Sequence, residues 1–128
     1  MIVLDTHVWI WWAAGARKLT KRARVRIESA ERILVPAICA WEVAMLVDRR
    51  RLELDRPVLT WLRQAIDLPA VELAPLTPEV AVRAAGLGGG FPGDPADRLI
   101  VATALEHRGP LVTMDERLRN SGIVESIG

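Results

Sequence analysis

The stretch Asp94-Pro95-Ala96-Asp97-Arg98-Leu99-Ile100-Val101-Ala102-Thr103-Ala104-Leu105 begins like a capped helix and continues as an almost wholly apolar one. Asp94 can cap the helix, and Pro95 suits its first turn, where a missing N–H costs nothing. From Leu99 onward the apolar residues surround the helix instead of forming one stripe, which is typical of a helix packed inside a domain. Asp94 and Asp97 therefore lie at the mouth of a buried helix, although acids in a first turn also favour the helix macrodipole without any further role.

The composition fits one small domain. The chain has 128 residues, of which 51% are hydrophobic, and a chain of this size buries about two thirds of its unfolded surface. We therefore expect residues 1–128 to form a single domain. The only cysteine, Cys39, excludes an intrachain disulfide, favours the reducing cytoplasm and suggests a packing role. No apolar run reaches the length of a membrane span, and Asp5 stands where a signal peptide would be basic, so we expect a soluble protein that is not exported.

Charge is distributed unevenly, although the net charge is only +1. Residues 1–51 contain ten Arg and Lys against five Asp and Glu, whereas residues 52–128 contain seven against eleven. Much of the positive charge lies in one basic run: Arg17, Lys18, Lys21, Arg22, Arg24 and Arg26. Such a run is either a solvated helix face or a track for phosphates, and the balanced net charge requires neither.

Short apolar strands alternate with helices along the chain. Strands are predicted at 1–4, 32–35, 71–74 and 111–113, with a final edge strand at 123–124. Helices are predicted from His7 to about residue 14, then at 19–30, 37–50, 58–66, 80–85, 95–105 and 116–120. The glycine-rich residues 86–93 are predicted to form a flexible loop. The alternation predicts an α/β sandwich with a mostly parallel sheet, in which sites form beyond the carboxyl ends of the strands.

Acidic residues recur at strand ends and on an apolar helix face. Asp5 follows the first strand and Asp115 the fourth, where each could instead serve only to cap the next helix. Glu42 has apolar neighbours three and four residues away on its own helix face. Burying its carboxylate there without a partner would cost several kcal/mol, so Glu42 needs either an ion pair with an arginine or a cation.

Carboxylates brought to one edge of a sheet repel each other and raise one another's pKa unless a cation neutralises them. The candidate set contains only oxygen ligands: Asp5, Glu42, Asp94, Asp97 and Asp115. The two histidines, His7 and His107, are placed on different helices and do not form a ligand pair. Oxygen ligation favours Mg²⁺ or Mn²⁺ over Zn²⁺, and a hard cation beside a basic surface suits phosphodiester hydrolysis.

Four acidic motifs occur in order along the chain: Leu4-Asp5-Thr6-His7, Ala40-Trp41-Glu42-Val43, Asp94-Pro95-Ala96-Asp97-Arg98 and Val112-Thr113-Met114-Asp115. Together they resemble the motifs of PIN-domain ribonucleases, and most of all those of the VapC toxins of toxin–antitoxin pairs. The resemblance covers essentially the whole chain. It implies a three-layer α/β/α sandwich with a mostly parallel central sheet and Mg²⁺- or Mn²⁺-dependent endoribonuclease activity on a structured RNA such as tRNA. It also implies homodimerisation and neutralisation by a cognate VapB-type antitoxin.

The resemblance also assigns roles to individual residues. The acidic tetrad that holds the metal and orients the attacking water is matched by Asp5, Glu42, Asp97 and Asp115. Asp94 matches an additional acid, and Thr6 and Thr113 match hydroxyl positions that support the metal shell. His7 replaces the asparagine often found after the Asp-Thr pair, which leaves open how the scissile phosphate is held. The implied reaction is attack by a metal-bound water, with departure of the 3′ oxygen to leave a 5′-phosphate.

Three alternatives to a toxin ribonuclease remain. A phosphotransfer domain also places an aspartate after its first strand, but Asp5 lacks the second acid such domains need and no lysine follows Lys21. A non-catalytic binding module of the same fold would use the basic run and the tryptophans. A PIN nuclease that processes RNA would have no antitoxin.

The antitoxin, if present, is expected to insert a basic side chain into the acidic pocket. Three clustered tryptophans cannot all face one way on a helix, so some belong to the core and at least one to a partner interface. The predicted antitoxin-binding surface therefore lies near Trp9, Trp11, Trp12 and residues 49–51.

Overall fold

The computed structural model describes residues 1–128 as a five-stranded sheet with seven helices. The strands are β1 (Ile2–Leu4), β2 (Ile33–Pro36), β3 (Val71–Ala74), β4 (Leu111–Val112) and β5 (Ser126–Ile127). The helices are α1 (Thr6–Ala14), α2 (Lys21–Glu28), α3 (Ala37–Asp48), α4 (Val58–Ile66), α5 (Pro78–Ala85), α6 (Pro95–His107) and α7 (Glu116–Asn120). No helix combines the length and the apolar character that crossing a membrane requires.

The strand order positions a crevice beside β1. The order is β3-β2-β1-β4-β5, and all neighbouring strands are parallel. The chain first adds β2 and β3 on one side of β1 and then returns to its other side for β4 and β5. In open α/β sheets ligands bind where the strand order reverses in this way, beyond the carboxyl ends of the strands. Because Leu4 pairs with Val112, the residues that follow them, Asp5 and Thr113, lie side by side at this crevice.

Helices cover both faces of the sheet. Strands β1 and β2 are buried along their whole length, as parallel strands are when helices lie on either side. Trp9 of α1 is fully buried and packs edge-on against Trp61 of α4 with 5.2 Å between ring centroids. Its indole N–H donates to the carbonyl of Ala65 at 3.3 Å. The three-layer α/β/α arrangement is thus confirmed, with Trp9 belonging to its core.

Helix α6 is apolar all round because it is covered on more than one side. Ile100, Val101 and Ala104 belong to the main core, while Ala102 packs in a second cluster with Val80 of α5. The helix contacts β1, β2, α3 and α5. The prediction of a helix packed inside the domain is confirmed.

Most predicted elements differ from the structure by only one or two residues at an end, and one predicted strand is misplaced. Helix α2 is shorter than the predicted 19–30, because the Thr20 side chain accepts the backbone N–H of Ala23 at 3.1 Å and caps it. The final edge strand predicted at 123–124 is wrong, since β5 lies at Ser126–Ile127 and pairs with β4. The Ser121 hydroxyl accepts the N–H of Ile123 at 3.2 Å, which holds the predicted strand in a turn.

Candidate active site

A pocket of about 400 Å³ lies beyond the carboxyl ends of β1 and β4. All the acidic residues selected from the sequence line it: Asp5, Glu42, Asp94, Asp97 and Asp115. The remaining wall is formed by Thr6, His7, Trp11, Ile100, Met114 and Arg117. The fold therefore gathers acids from four separate parts of the chain into one pocket.

Asp5 is anchored from two sides. Its Oδ1 accepts the backbone N–H of Val8 at 2.9 Å and caps α1, while its Oδ2 accepts the hydroxyl of Thr113. Burial raises the pKa of Asp5, the two hydrogen bonds and nearby His7 oppose the rise, and the charge of Asp97 adds to it. Asp5 therefore both caps α1 and lines the pocket, two roles that the sequence left as alternatives.

Glu42 is half-buried on α3, and its partner is a hydroxyl. The side chain of Thr6, itself buried, donates to Glu42 Oε1 at 2.5 Å. Glu42 forms no ion pair with an arginine, so the structural salt bridge considered from the sequence is absent. Burial raises the pKa of Glu42, the bond from Thr6 opposes the rise, and the charges of Asp94 and Asp5 add to it.

Asp94 and Asp97 cap α6 reciprocally. Asp94 Oδ1 accepts the Asp97 N–H at 2.8 Å, and Asp97 Oδ2 accepts the Asp94 N–H at 3.1 Å. The cap by Asp94 agrees with the sequence prediction, whereas the returning bond to Asp97 was not predicted, although the three-residue spacing of the two acids is its signal. Burial raises the pKa of Asp97 to about 6, and the charges of Asp94, Glu42 and Asp115 add to the rise.

Asp115 is held by an arginine that the sequence analysis did not anticipate. Its Oδ1 accepts the backbone N–H of Arg117 at 2.9 Å, and its Oδ2 lies 3.0 Å from Arg117 Nη2. The hydrogen bond from the Arg117 side chain holds the pKa of Asp115 below its ordinary value. The backbone N–H of Asp115 also donates to the Thr113 hydroxyl at 3.1 Å. The signal in the sequence was a basic residue two positions after an acid that caps a short helix.

The donor set fits a hard divalent cation in its chemistry. Apart from His7 and the thioether of Met114, the potential ligands of the pocket are carboxylate and hydroxyl oxygens, which Mg²⁺ and Mn²⁺ prefer. Asp5, Glu42 and Asp97 each have a pKa raised partly by neighbouring acids, a repulsion that a cation would relieve. In the observed side-chain conformations no three His, Cys, Asp or Glu side chains converge as metal ligands. The capping bonds and Arg117 hold the carboxylates in separate orientations.

One wall of the pocket is aromatic. His7 and Trp11 lie four residues apart on α1, and their ring centroids are 5.8 Å apart with the planes at 55°. Lys18 Nζ lies 5.9 Å from the centroid of the Trp11 ring. Trp11 is partly exposed, unlike Trp9. Sequence reasoning assigned the tryptophans to core or partner surfaces and missed this wall, for which the spacing of His7 and Trp11 on one helix face was the signal.

The basic run is mostly solvent-exposed. Arg24 is the exception, because its Nη2 donates to the carbonyl of Ala16 at 2.9 Å and stabilises the loop between α1 and α2. The other members of the run are exposed: Arg17, Lys18, Lys21, Arg22 and Arg26. Five cationic side chains of the run are therefore available to solution, and one of them, Lys18, lies beside the aromatic wall.

A parallel α/β/α sandwich with an acidic pocket at the reversal of its strand order is the architecture of PIN domains, and the chain belongs to the PIN domain family, which matches residues 2–123. Among curated proteins, Ribonuclease VapC22 of Mycobacterium tuberculosis is 46% identical over 119 residues. The match covers 93% of this chain and 90% of that protein. The chain is therefore a homologue of a VapC protein along nearly its whole length.

Solved toxin–antitoxin structures share the fold. A DNA-bound VapBC from Salmonella typhimurium aligns with a TM-score of 0.74 at 17% identity, covering 99% of this chain and 98% of that one. VapBC-1 from nontypeable Haemophilus influenzae aligns with a TM-score of 0.73 at 14% identity, covering 99% of this chain and 97% of that one. FitAcB from Neisseria gonorrhoeae aligns with a TM-score of 0.67 at 24% identity, covering 100% of this chain and 97% of that one. At these identities the likeness concerns the fold alone.

Proposed function

We propose that this protein is a divalent-metal-dependent endoribonuclease and the toxin of a VapBC-type toxin–antitoxin pair. The observation that carries the proposal is the gathering of five acids into one pocket at the crevice between β1 and β4. The 46% identity to a protein named as a ribonuclease supports the reaction. The toxin–antitoxin complexes among the fold neighbours support the biological role.

The metal ligands in this proposal are Asp5, Glu42, Asp97 and Asp115, with the exposed Asp94 at the rim. The cation they hold is Mg²⁺ or Mn²⁺. When bound, such a cation supplies neutralisation of phosphodiester charge and a more acidic water.

Two hydroxyls of the chain hold two of these carboxylates in place. Thr113 donates to Asp5 and Thr6 donates to Glu42, so each hydroxyl fixes one carboxylate oxygen and leaves the other lone pairs for the pocket. The pKa of Asp97 near 6 leaves it mostly ionised at neutral pH. Water attacks the phosphodiester and the 3′ oxygen leaves, so the product carries a 5′-phosphate. No histidine is required as a general base.

Residues 1–128 act as one domain in this proposal, and the protein works as a homodimer in the cytoplasm. The substrate is a structured RNA such as tRNA. The partner is a cognate VapB-type antitoxin that inserts a basic side chain into the pocket. The ion pair of Arg117 with Asp115 supports this mode of inhibition, because it shows that a guanidinium fits against one acid of the pocket.

The proposal is tested by cleavage of total tRNA with the antitoxin-free protein in Mn²⁺, beside Asp97→Asn purified in the same way. We expect cleavage by the wild type alone, abolished by EDTA. If neither protein cuts and calorimetry still shows Mn²⁺ binding that Asp97→Asn loses, the metal site stands and the substrate is wrong.

A non-catalytic RNA-binding module is the second candidate function. It is favoured by the absence of three converging ligands in the observed conformations and by the ion pair that occupies Asp115. Absence of both cleavage and Mn²⁺ binding, with RNA binding retained, would establish it.

A further inference from the structure

The aromatic wall of the pocket has no role in the metal chemistry. Resting on the proposed ribonuclease function, we propose that Trp11 is the stacking surface of a nucleotide subsite, where a base next to the scissile phosphate lies on its indole. His7 and Lys18 complete the subsite. The ligand class is a single-stranded or unpaired segment of RNA.

The subsite is continuous with the acids. Trp11 lines the same pocket as Asp5, Glu42 and Asp97. Helix α1 begins directly after Asp5, and at a rise of about 1.5 Å per residue Trp11 lies about 9 Å further along the helix axis. A nucleotide whose phosphate is held at the acids can reach that distance with its base.

Packing in the core does not explain the position of Trp11, because part of its ring faces the pocket. Trp9 is fully buried with its N–H bonded to a backbone carbonyl. Trp11 instead packs on the core with part of its surface and contributes the rest to the pocket. Its indole N–H makes no hydrogen bond within the chain. An amphipathic ring left partly exposed in an otherwise polar pocket is suited to a ligand with one flat apolar face and polar edges.

The charges around the ring fit a polynucleotide. The acids line the same pocket as Trp11, and Lys18 Nζ lies 5.9 Å from the centroid of the Trp11 ring. Lys21 and Arg22, the next basic residues of the run, are solvent-exposed. The pocket thus offers acids for a cation and a ring for a base, and Lys18 beside the ring can pair with a phosphate. Stacking accepts any base, so this subsite adds affinity and register and does not by itself select a sequence.

The binding test uses the full chain with Asp97→Asn as the parent, so that RNA is not cut. A fluorescein-labelled single-stranded oligoribonucleotide is titrated by anisotropy, with heparin as a polyanion that has no bases. We expect Trp11→Ala to weaken RNA binding about 5- to 100-fold, the range for loss of one base–aromatic stack, and to leave heparin binding unchanged. Lys18→Ala weakens the binding of both.

Two further variants control for packing. Trp11→Phe keeps an aromatic face and retains RNA affinity to within about threefold. Trp41→Ala removes a tryptophan that is 57% exposed and lies outside the pocket, and it leaves RNA binding unchanged. Circular dichroism and thermal unfolding establish that each variant folds.

The same substitutions in the nuclease-competent chain separate binding from chemistry. Trp11→Ala raises KM for RNA by about the factor seen in binding and changes kcat by less than about threefold, because Trp11 touches none of the reacting atoms. A ring that served only to hold α1 in place would instead reduce thermal stability and kcat together.

The subsite is overturned if Trp11→Ala binds RNA as its parent does, loses RNA and heparin equally, or is matched by Trp41→Ala. Cleavage by the wild type that persists in Trp11→Ala with unchanged KM would also overturn it and leave the proposed function standing. If the wild type cleaves no RNA and its Asp97→Asn variant binds none, the proposed function fails, and the subsite fails with it.

Discussion

The hydroxyl of Thr113 donates a hydrogen bond to the carboxylate of Asp5, which lies 108 residues away in the chain. The same hydroxyl accepts the backbone N–H of Asp115 at 3.1 Å. Thr113 is fully buried, so water does not replace its contacts. One side chain therefore fixes the carboxylate of Asp5 and the main chain of Asp115, two of the proposed metal ligands.

Replacing Thr113 with valine keeps the shape of the side chain and removes this link. Asp5 would keep only the Val8 N–H, and a buried acceptor left without its donor costs about 1–3 kcal/mol. We expect Thr113→Val to lose that much stability in denaturant unfolding and to lose at least tenfold in RNA cleavage and Mn²⁺ affinity. Thr113→Ser, which keeps the hydroxyl, should behave like the wild type. Equal losses in the serine and valine variants would show that packing matters and the hydrogen bond does not.

The raised pKa of Asp97 makes the stability of the metal-free protein depend on pH. Between the ordinary value of 3.8 and about 6, the folded chain binds a proton that the unfolded chain has released. The free energy of unfolding therefore falls as pH rises through this window and is level above it. Since Asp97 is partly exposed, solvent screening limits the change to about 1 kcal/mol.

Asp97→Asn removes this dependence and keeps an oxygen that can accept the Asp94 N–H. In EDTA the variant should be more stable than the wild type at neutral pH, and the difference should shrink toward about pH 4. Urea unfolding at several pH values measures it. A constant difference across the range would contradict the assignment of the shifted pKa to Asp97.

In the proposed metal site, Arg117 would compete with the cation for Asp115, with which it forms an ion pair. An exposed ion pair is worth about 0.2–1 kcal/mol, so we expect Arg117→Ala to bind Mn²⁺ up to about fivefold more tightly in calorimetry. Arg119→Ala makes the same charge change on the same helix, α7, outside the pocket, and should leave the affinity unchanged. Weaker binding in Arg117→Ala would mean that the arginine supports the metal site.

Gly93 is the one glycine of the loop before α6 that cannot accept a side chain without disturbing the acids. A Cβ there would lie 2.6 Å from Asp97 Cβ and 2.8 Å from Asp97 Oδ2. We expect Gly93→Ala to displace Asp97 and reduce RNA cleavage at least tenfold while the fold persists. Gly89→Ala and Gly90→Ala, where a Cβ meets nothing within 4 Å, are the matched controls. Full activity in Gly93→Ala would show that the loop shifts to accommodate the methyl group and that Asp97 keeps its position.

The hydrophobic pattern of the sequence was enough to predict an α/β sandwich with a mostly parallel sheet. Apolar runs that end at an acid, such as Leu4-Asp5, determine where a parallel strand stops, and α6 could be recognised because its apolar surface is continuous. The acids that line the pocket follow from the same logic, because carboxyl ends of parallel strands meet at one edge. The roles assigned to these acids stay predictions.

Features that depend on how side chains turn were not predictable. The ion pair of Arg117 with Asp115 and the Trp11 wall depend on rotamers and on neighbours far away in sequence. The last strand was misplaced because two apolar residues, Ile123 and Val124, carry no periodicity. Pairing with β4, not local propensity, decides that Ser126 and Ile127 form β5.

The link between Asp5 and Thr113 also determines when the pocket comes into being during synthesis. Strand β1 leaves the ribosome first, and β4, which must pair beside it, leaves more than a hundred residues later. Contacts of such long range form late, after the intervening helices and strands have been made. A growing chain, or one interrupted before residue 111, therefore contains the first acids without the crevice that would unite them. The pocket therefore forms only after β4 has been synthesised and has paired with β1, and its chemistry cannot begin earlier.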